Sequence, residues 1–143
     1  MKKNLFLAIC VSTLLFQSCN KDKTETCLAN VTSLSGTYKL TALKYKQTST
    51  SPEADWMATV VQSCKKDDLY VLASDGAFSI QDAGTVCSPA GNYTGTWTFL
   101  NNEINMDGYY SGTVNSFNCS TLVFTQNDAL ESGDMLTATF VKQ

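Results

Sequence analysis

The sequence predicts an all-β fold, an eight-stranded antiparallel up-and-down β-barrel with two disulfides. Short runs of β-branched and aromatic residues recur from residue 36 onward, and Gly, Asn, Asp and Ser separate them at turn spacing. Long helical periodicity is missing from this part of the chain. The 143 residues, 16% of them charged and 43% hydrophobic, suit one folded domain with its own core.

The predicted strands follow one another in chain order. The first comprises residues 36–46, and its apolar phase shifts between Ala42 and Leu43, as a β-bulge would cause. The remaining seven are residues 68–73, 77–82, 93–100, 103–106, 111–117, 120–126 and 135–141. Their short, turn-like connections indicate sequential antiparallel pairing. Closing the eight strands into a barrel would remove the exposed edges.

The segment between the first two strands is the least regular part of the chain. Residues 47–55 are polar, which is typical of a loop. Residues 56–61 fit either one helical turn or a strand, and the pattern does not choose between them.

The second and third strands are joined by Ser74-Asp75-Gly76, where Asp-Gly favours a type I′ hairpin turn. If Asp75 and Gly76 are the two turn residues, the numbers of paired residues sum to 151. Cys64 and Cys87 satisfy this sum and would face one another on the extended ladder. We therefore predict a Cys64–Cys87 disulfide, which leaves Cys27 to pair with Cys119.

Residues 1–18 have the charged start and apolar middle of a secretory signal peptide. The signal ends in Gln17-Ser18-Cys19, which resembles the lipobox of bacterial lipoproteins, so we predict acylation of Cys19 by fatty-acid chains such as palmitate. Residues 19–35 would then form a lipidated polar tether, and residues 36–143 the barrel domain. The alternative is an ordinary signal peptide, with Cys19 as a further mature cysteine. Lipidation is favoured because it leaves four cysteines to pair in an oxidising compartment.

The leader also predicts where the protein resides. A dual-acylated cysteine anchors a protein stably to a membrane, so we expect a lipid-anchored protein of the bacterial cell envelope. Asn20 follows the acylated position. In the bacterial lipoproteins that this leader resembles, an Asp at that position directs sorting, so its absence here favours delivery to the outer membrane. The motif does not specify which face of that membrane carries the domain.

Composition excludes several function classes. The sequence has no Arg and no His. Without His there is no Ser-His or Cys-His nucleophile pair and no His metal ligand. Residues 19–143 carry eight lysines against 13 acidic residues, a net charge of −5, which disfavours nucleic-acid binding.

Several segments together resemble the lipocalin-like domains of bacterial lipoproteins, over residues 34–142. They are Gly36-Thr-Tyr-Lys-Leu40, Cys64-Lys-Lys-Asp-Asp68 leading into Asp75-Gly76, the later Cys87, and Gly95-Thr-Trp-Thr-Phe99. The resemblance implies an eight-stranded, calycin-type barrel whose interior holds a small hydrophobic ligand. Lipocalins usually carry Gly-x-Trp in the first strand, with an Arg covering the Trp. This chain has Tyr38 in place of the Trp and offers Lys142 in place of the Arg.

The alternation of the strands predicts which side chains face inward and would line a ligand cavity. These residues are Tyr38, Leu40, Tyr70, Leu72, Phe78, Ile80, Trp97, Phe99, Leu122, Phe124, Leu136 and Phe140. The alternative is that they fill the barrel completely.

Other candidate sites carry a weaker signal. Asp67, Asp68 and Asp75 suggest a calcium site, but the Asp-x-Asp-x-Asp-Gly spacing is missing, and we interpret them as turn and strand-edge residues. Nothing in the spacing of the carboxylates recommends a glycosidase pair. Exposed aromatic residues able to stack on sugars or proteins are predicted at Trp56, Tyr109 and Tyr110.

These observations favour a non-enzymatic envelope lipoprotein that binds a small apolar or amphipathic molecule in or near a barrel mouth, without a cofactor or metal. The alternative is an interaction module with a solidly packed barrel, whose loops dock a glycan or another envelope protein. An enzyme would need polar groups converging in a pocket, whereas the predicted inward positions are mostly apolar.

Overall fold

Nine antiparallel strands form one sheet that closes on itself in the computed structural model, which describes residues 27–143. The predicted leader and Cys19 lie outside the described residues. The strands are β1 (Gly36–Lys46), β2 (Ala54–Asp55), β3 (Leu69–Leu72), β4 (Ala77–Gln81), β5 (Tyr93–Leu100), β6 (Glu103–Met106), β7 (Tyr110–Phe117), β8 (Thr121–Asn127) and β9 (Met135–Lys142). The short helices are α1 (Val31–Leu34), α2 (Trp56–Thr59) and a 3-10 turn (Ser63–Lys65).

The barrel closes through β1, which pairs with β3 on one side and β9 on the other. Tyr38, for example, is opposite Tyr70 of β3 and Lys142 of β9. Eight strands, β1 and β3 to β9, thus form the ring, as the sequence predicts. β2 is a two-residue addition that continues the pairing of β1 beyond β3. All pairs are antiparallel. They join strands that are consecutive in sequence, except for β1–β3, which skips β2, and the closing pair β1–β9.

The bulge in β1 lies slightly before its predicted position. The register with β9 shifts between Leu40 and Ala42, which leaves Thr41 as the extra residue, whereas the predicted shift was between Ala42 and Leu43. Thr41 is exposed and its hydroxyl donates to the Thr139 carbonyl at 3.2 Å. The extra residue lets Leu40 and Leu43, three positions apart, both point into the barrel.

The β3–β4 hairpin has a three-residue turn, so the predicted two-residue turn is wrong. The residue numbers of paired residues sum to 150, as for Tyr70 opposite Ile80. The Gly76 amide donates to the Ala73 carbonyl at 3.0 Å, and Gly76 adopts φ +89°. A three-residue hairpin loop that ends in a left-handed glycine is typically built on a type I turn. The ladder also ends before it reaches the cysteines, so the geometric argument for their pairing does not hold.

The two disulfides nevertheless join the predicted partners. Cys64–Cys87 links the β1–β3 loop to the β4–β5 loop, and Cys27–Cys119 links the chain before α1 to the β7–β8 turn. Within residues 27–143, no helix has the length and apolar character needed to cross a membrane.

The two ends of the barrel differ. At one end, the plugged end, lie the start of β1, the C-terminus and the β3–β4, β5–β6 and β7–β8 turns. α1 covers it: Leu34 is fully buried, and the Tyr38 hydroxyl donates to the Leu34 carbonyl at 2.7 Å. Folded structure therefore begins within the segment predicted as tether. The opposite end, the open end, carries the β1–β3, β4–β5, β6–β7 and β8–β9 connections.

The core lies inside the ring and is rich in aromatic side chains. Phe140 is its centre: its ring lies 5.0 Å from that of Tyr70, 5.4 Å from Tyr110 and 5.8 Å from Phe124, measured between centroids. The buried residues are Leu34, Tyr38, Leu40, Leu43, Tyr70, Leu72, Phe78, Ile80, Trp97, Ile104, Met106, Val114, Phe117, Leu122, Phe124, Ala138 and Phe140. Their side chains occupy the interior below the open end.

Candidate ligand cleft at the open end

A cleft of about 190 Å³ opens among the loops at the open end. We call it the mouth cleft. It is lined by Lys65, Asp68, Tyr70, Ile80, Gly91, Tyr109 and Tyr110. These residues come from four parts of the chain, namely the β1–β3 loop, the β3–β4 hairpin, the β4–β5 loop, and the β6–β7 turn with the start of β7. The Cys64–Cys87 disulfide connects two of these parts, which fixes the two loop walls relative to each other.

Aromatic rings form the floor and one wall of the mouth cleft. Tyr70 and Tyr110 lie with their centroids 6.0 Å apart, in an edge-on arrangement, and both contact Phe140 beneath them. Tyr109 is half exposed in the β6–β7 turn and packs against Tyr93 with centroids 4.5 Å apart. Because the rings of the core fill the space below Tyr70 and Tyr110, the mouth cleft is shallow.

Asp68 supplies a buried carboxylate to this aromatic site. It immediately precedes β3, and only 3% of its surface is exposed. Its Oδ1 atom is buried and has no hydrogen-bond partner. Burial raises the pKa of the Asp68 carboxyl, the nearby charge of Asp82 raises it further, and a hydrogen bond from the Ala83 amide lowers it. An unpartnered buried acceptor is costly, so this oxygen is poised to accept a hydrogen bond.

The neighbouring carboxylates have structural partners. Asp82 accepts hydrogen bonds from the amides of Cys87 and Gly91, and thereby orders the β4–β5 loop. Asp67 accepts from the Thr85 amide at 2.8 Å, and its other oxygen is buried without a partner but does not line the mouth cleft. Asp68 is therefore the carboxylate that the fold presents to the cleft.

The hydroxyls of Tyr70 and Tyr110 at the cleft are neutral groups. Burial raises the pKa of Tyr70 well above its usual value, and the adjacent Tyr110 and Asp68 add to that rise. Burial likewise raises the pKa of Tyr110. Both phenols therefore stay protonated near neutral pH and can donate or accept hydrogen bonds. The cleft combines aromatic faces, neutral hydroxyls, one buried carboxylate and the Lys65 ammonium at its rim.

The residues predicted to line a cavity fall into two groups, one at the mouth cleft and one in or against the core. Tyr70 and Ile80 line the mouth cleft. The others do not line it: Tyr38, Leu40, Leu72, Phe78, Trp97, Leu122, Phe124 and Phe140 are buried in the core, and Phe99 and Leu136 pack partly buried against it. A ligand-binding role for these ten residues stays a prediction.

The predicted loop aromatics have different surroundings. Trp56 begins α2, the helical turn that the sequence left open, and stacks on Tyr45 with centroids 4.1 Å apart. Tyr109 and Tyr110 both line the mouth cleft, and Tyr110 is the first residue of β7 and partly buried. The alternation of side chains did not reveal that Tyr109 and Tyr110 lie beside Tyr70, because they are far from Tyr70 in sequence.

The three aspartates considered for calcium do not converge. Asp75 lies in the β3–β4 turn at the plugged end, where its carboxylate accepts from the Ala77 amide at 3.0 Å. Asp67 and Asp68 lie at the open end. Across residues 27–143, no group of three or more His, Cys, Asp or Glu side chains is arranged to hold a metal ion. Lys65 and Gly91, which the sequence analysis did not single out, belong to the cleft instead.

A family model described as a lipocalin-like domain matches residues 34–124. A search of curated proteins and a search of solved structures each found no match. The matched region begins at the buried Leu34 and includes β1 to β7 and the first four residues of β8. The closed ring of eight antiparallel strands and the matched region agree, and the chain belongs to the lipocalin-like domain family.

Proposed function

We propose that this protein is a non-enzymatic binding protein of the bacterial cell envelope that holds one small amphipathic molecule in the mouth cleft. The observation that carries the proposal is the Oδ1 atom of Asp68, a buried acceptor without a partner at a cleft lined by tyrosine rings. The binding character of lipocalin-like domains supports it.

The depth of the cleft limits the ligand. Small-molecule sites usually have volumes of about 300–1,000 Å³, and the mouth cleft has about 190 Å³. The rings of Tyr110, Phe124 and Phe140 fill the barrel below it. We therefore expect a compact molecule, or the end group of a longer one, rather than a chain buried along the barrel axis.

Envelope anchoring is the second part of the proposal. The Ser18-Cys19 ending of the leader supports acylation of Cys19, and Asn20 supports outer-membrane delivery. Two disulfides in the folded part fit an oxidising compartment. Metabolic labelling with a radioactive fatty acid should mark the wild-type protein and leave Cys19→Ala unlabelled. Equal labelling of both would refute lipidation at this residue.

Native mass spectrometry tests the binding function. The full mature protein, extracted in detergent from the envelope of its own host, should carry a stoichiometric small molecule. Tyr109→Ala should lower the occupancy, because it removes an exposed wall of the cleft, while Leu100→Ala, on the outer surface at the plugged end, should not. Bare protein in every preparation would argue against the proposal.

An alternative function as an interaction module rests on the exposed apolar residues of the same loops. Each of the four open-end connections carries one, and more than half of each side chain is exposed: Val60, Val86, Tyr109 and Leu130. Such residues can dock a protein or a glycan. Cross-linking in intact cells from a photoreactive residue at position 130 would favour this alternative if it captured one envelope partner while the cleft proved empty.

A further inference from the structure

The unpartnered oxygen of Asp68 specifies what kind of group the mouth cleft can bind. A carboxylate oxygen accepts hydrogen bonds, so its complement is an N–H or O–H donor. The rings of Tyr70, Tyr109 and Tyr110 surround the same cleft. Aromatic faces attract cations, and a buried carboxylate favours a positively charged donor over a neutral one. Both features select for an ammonium group.

Two of the three charged groups that act on Asp68 favour a cation beside it. The neighbouring carboxylates Asp82 and Asp67 raise the pKa of Asp68, and Lys65 is the one cation among these groups. Lys65 is exposed and lies at the rim, whereas Asp68 is buried. The inner part of the cleft is therefore the negative part, and its outer edge carries a positive charge.

We propose that the mouth cleft binds a small primary amine in its ammonium form, which donates to Asp68 Oδ1 while its apolar body packs against the three tyrosine rings. This inference rests on the proposed function and names the ligand class. Because Oδ1 is itself buried, the amine reaches it after a small outward movement of the cleft wall. Tyr109, half exposed in a turn, belongs to this wall.

Lys65 adds a selectivity that can be measured. A ligand with a second ammonium group would place it near the rim, where the Lys65 side chain repels it. Monoamines are therefore expected to bind better than diamines of similar length. Lys65→Gln should reduce this preference.

Calorimetric titration of the full mature protein with 2-phenylethylamine tests the proposal. The matched controls are 2-phenylethanol, which lacks the charge, and 3-phenylpropanoate, which reverses it. A charge-assisted hydrogen bond should make the amine bind at least ~10-fold tighter than the alcohol at pH 7. Asp68→Asn should abolish this difference. Glu131→Gln, an equal change of charge on an exposed loop residue, should preserve it.

The pH dependence supplies a second measurement on the unaltered protein. The pKa of Asp68 is raised by burial, and protonation of the carboxyl removes its charge. Amine affinity should therefore fall as the pH drops through this pKa, although the amine itself stays protonated, and alcohol affinity should not follow the same profile. This readout remains decisive if Asp68→Asn fails to fold.

The outcomes separate the two proposals. If amine and alcohol bind equally, Asp68→Asn has no effect and Tyr109→Ala weakens both, the amine inference is overturned and the binding function stands. If none of the probes binds the wild-type protein, and envelope preparations also carry no ligand, both proposals are overturned. Tighter amine binding that requires Asp68 supports both.

Discussion

The ammonium nitrogen of Lys142 lies 5.5 Å from the centroid of the Tyr38 ring, at the plugged end of the barrel. It also lies 5.6 Å from the Phe117 ring and donates to the Ser33 carbonyl at 2.6 Å. One lysine from the last strand thus binds the first strand, the β7 end and the α1 segment together. Tyr38 and Lys142 are the residues that the resemblance offered in place of the lipocalin Trp and Arg, and they are in contact.

Replacing Lys142 should loosen the plugged end. Lys142→Met keeps the apolar stem over the rings but removes the donor to Ser33 and the cation above Tyr38. We expect a loss of ~1–2 kcal/mol in the free energy of unfolding, measured by urea denaturation. Lys142→Arg retains charge and donors and should lose less. Equal stability of Lys142→Met and wild type would show that the contact contributes nothing.

Leu34 should behave as a core residue although it precedes the first strand. It is the last residue of α1, and its side chain is fully buried. Leu34→Ala should lower the free energy of unfolding by ~2–5 kcal/mol, because it removes buried apolar surface and leaves a cavity. Leu28→Ala is the matched control, since 83% of Leu28 is exposed. A cost for Leu34→Ala no larger than for the control would mean that α1 does not seal the barrel.

The two disulfides should differ in their contribution to stability. Cys27 and Cys119 are 92 residues apart in sequence, and Cys64 and Cys87 are 23 apart. In the chain-entropy model the longer loop contributes ~4.6 kcal/mol and the shorter ~3.4 kcal/mol. Paired Cys→Ser variants compared by urea denaturation measure both. If the Cys64/Cys87 variant loses more, native contacts of the cleft loops rather than chain entropy dominate.

Acid should weaken the β8–β9 connection through Asp134. Burial by itself would raise the pKa of this carboxyl, but hydrogen bonds from the Glu131 amide, the Tyr45 hydroxyl and the Ala129 and Leu130 amides outweigh burial and lower it. A group whose pKa is lowered by folding stabilises the protein above its unfolded pKa of about 3.9. That stability is lost as the pH falls through the lower folded value.

Urea midpoints measured between pH 5 and pH 2 test this expectation. The wild-type midpoint should fall with decreasing pH, and Asp134→Asn should start lower and fall less steeply. Tyr45→Phe removes one of the hydrogen bonds and should give an intermediate slope. Parallel curves for wild type and Asp134→Asn would assign the acid sensitivity to other carboxylates.

The strands could be predicted because each one carries its own signal. The alternation of apolar and polar side chains predicted the bounds of β5 and β6 that the structure has. It also identified the inward face of β8, where Leu122 and Phe124 are buried. The register of the β3–β4 hairpin could not be predicted in this way. A two-residue and a three-residue turn both suit Asp75-Gly76 locally. Contacts from β5 accompany the observed turn: the Trp97 amide donates to Gly76, and the indole donates to Ala73.

The sequence by itself determined the all-β class, the strand order and the apolar interior, because period-two patterning and the side-chain types are properties of the chain. Tertiary structure decided where a ligand could bind. Asp68, Gly91 and Tyr110 are distant in sequence and meet when the barrel closes. The loops that pack against Asp68 decide whether its carboxylate has a hydrogen-bond partner. In the folded protein they bury Oδ1 and leave it without one.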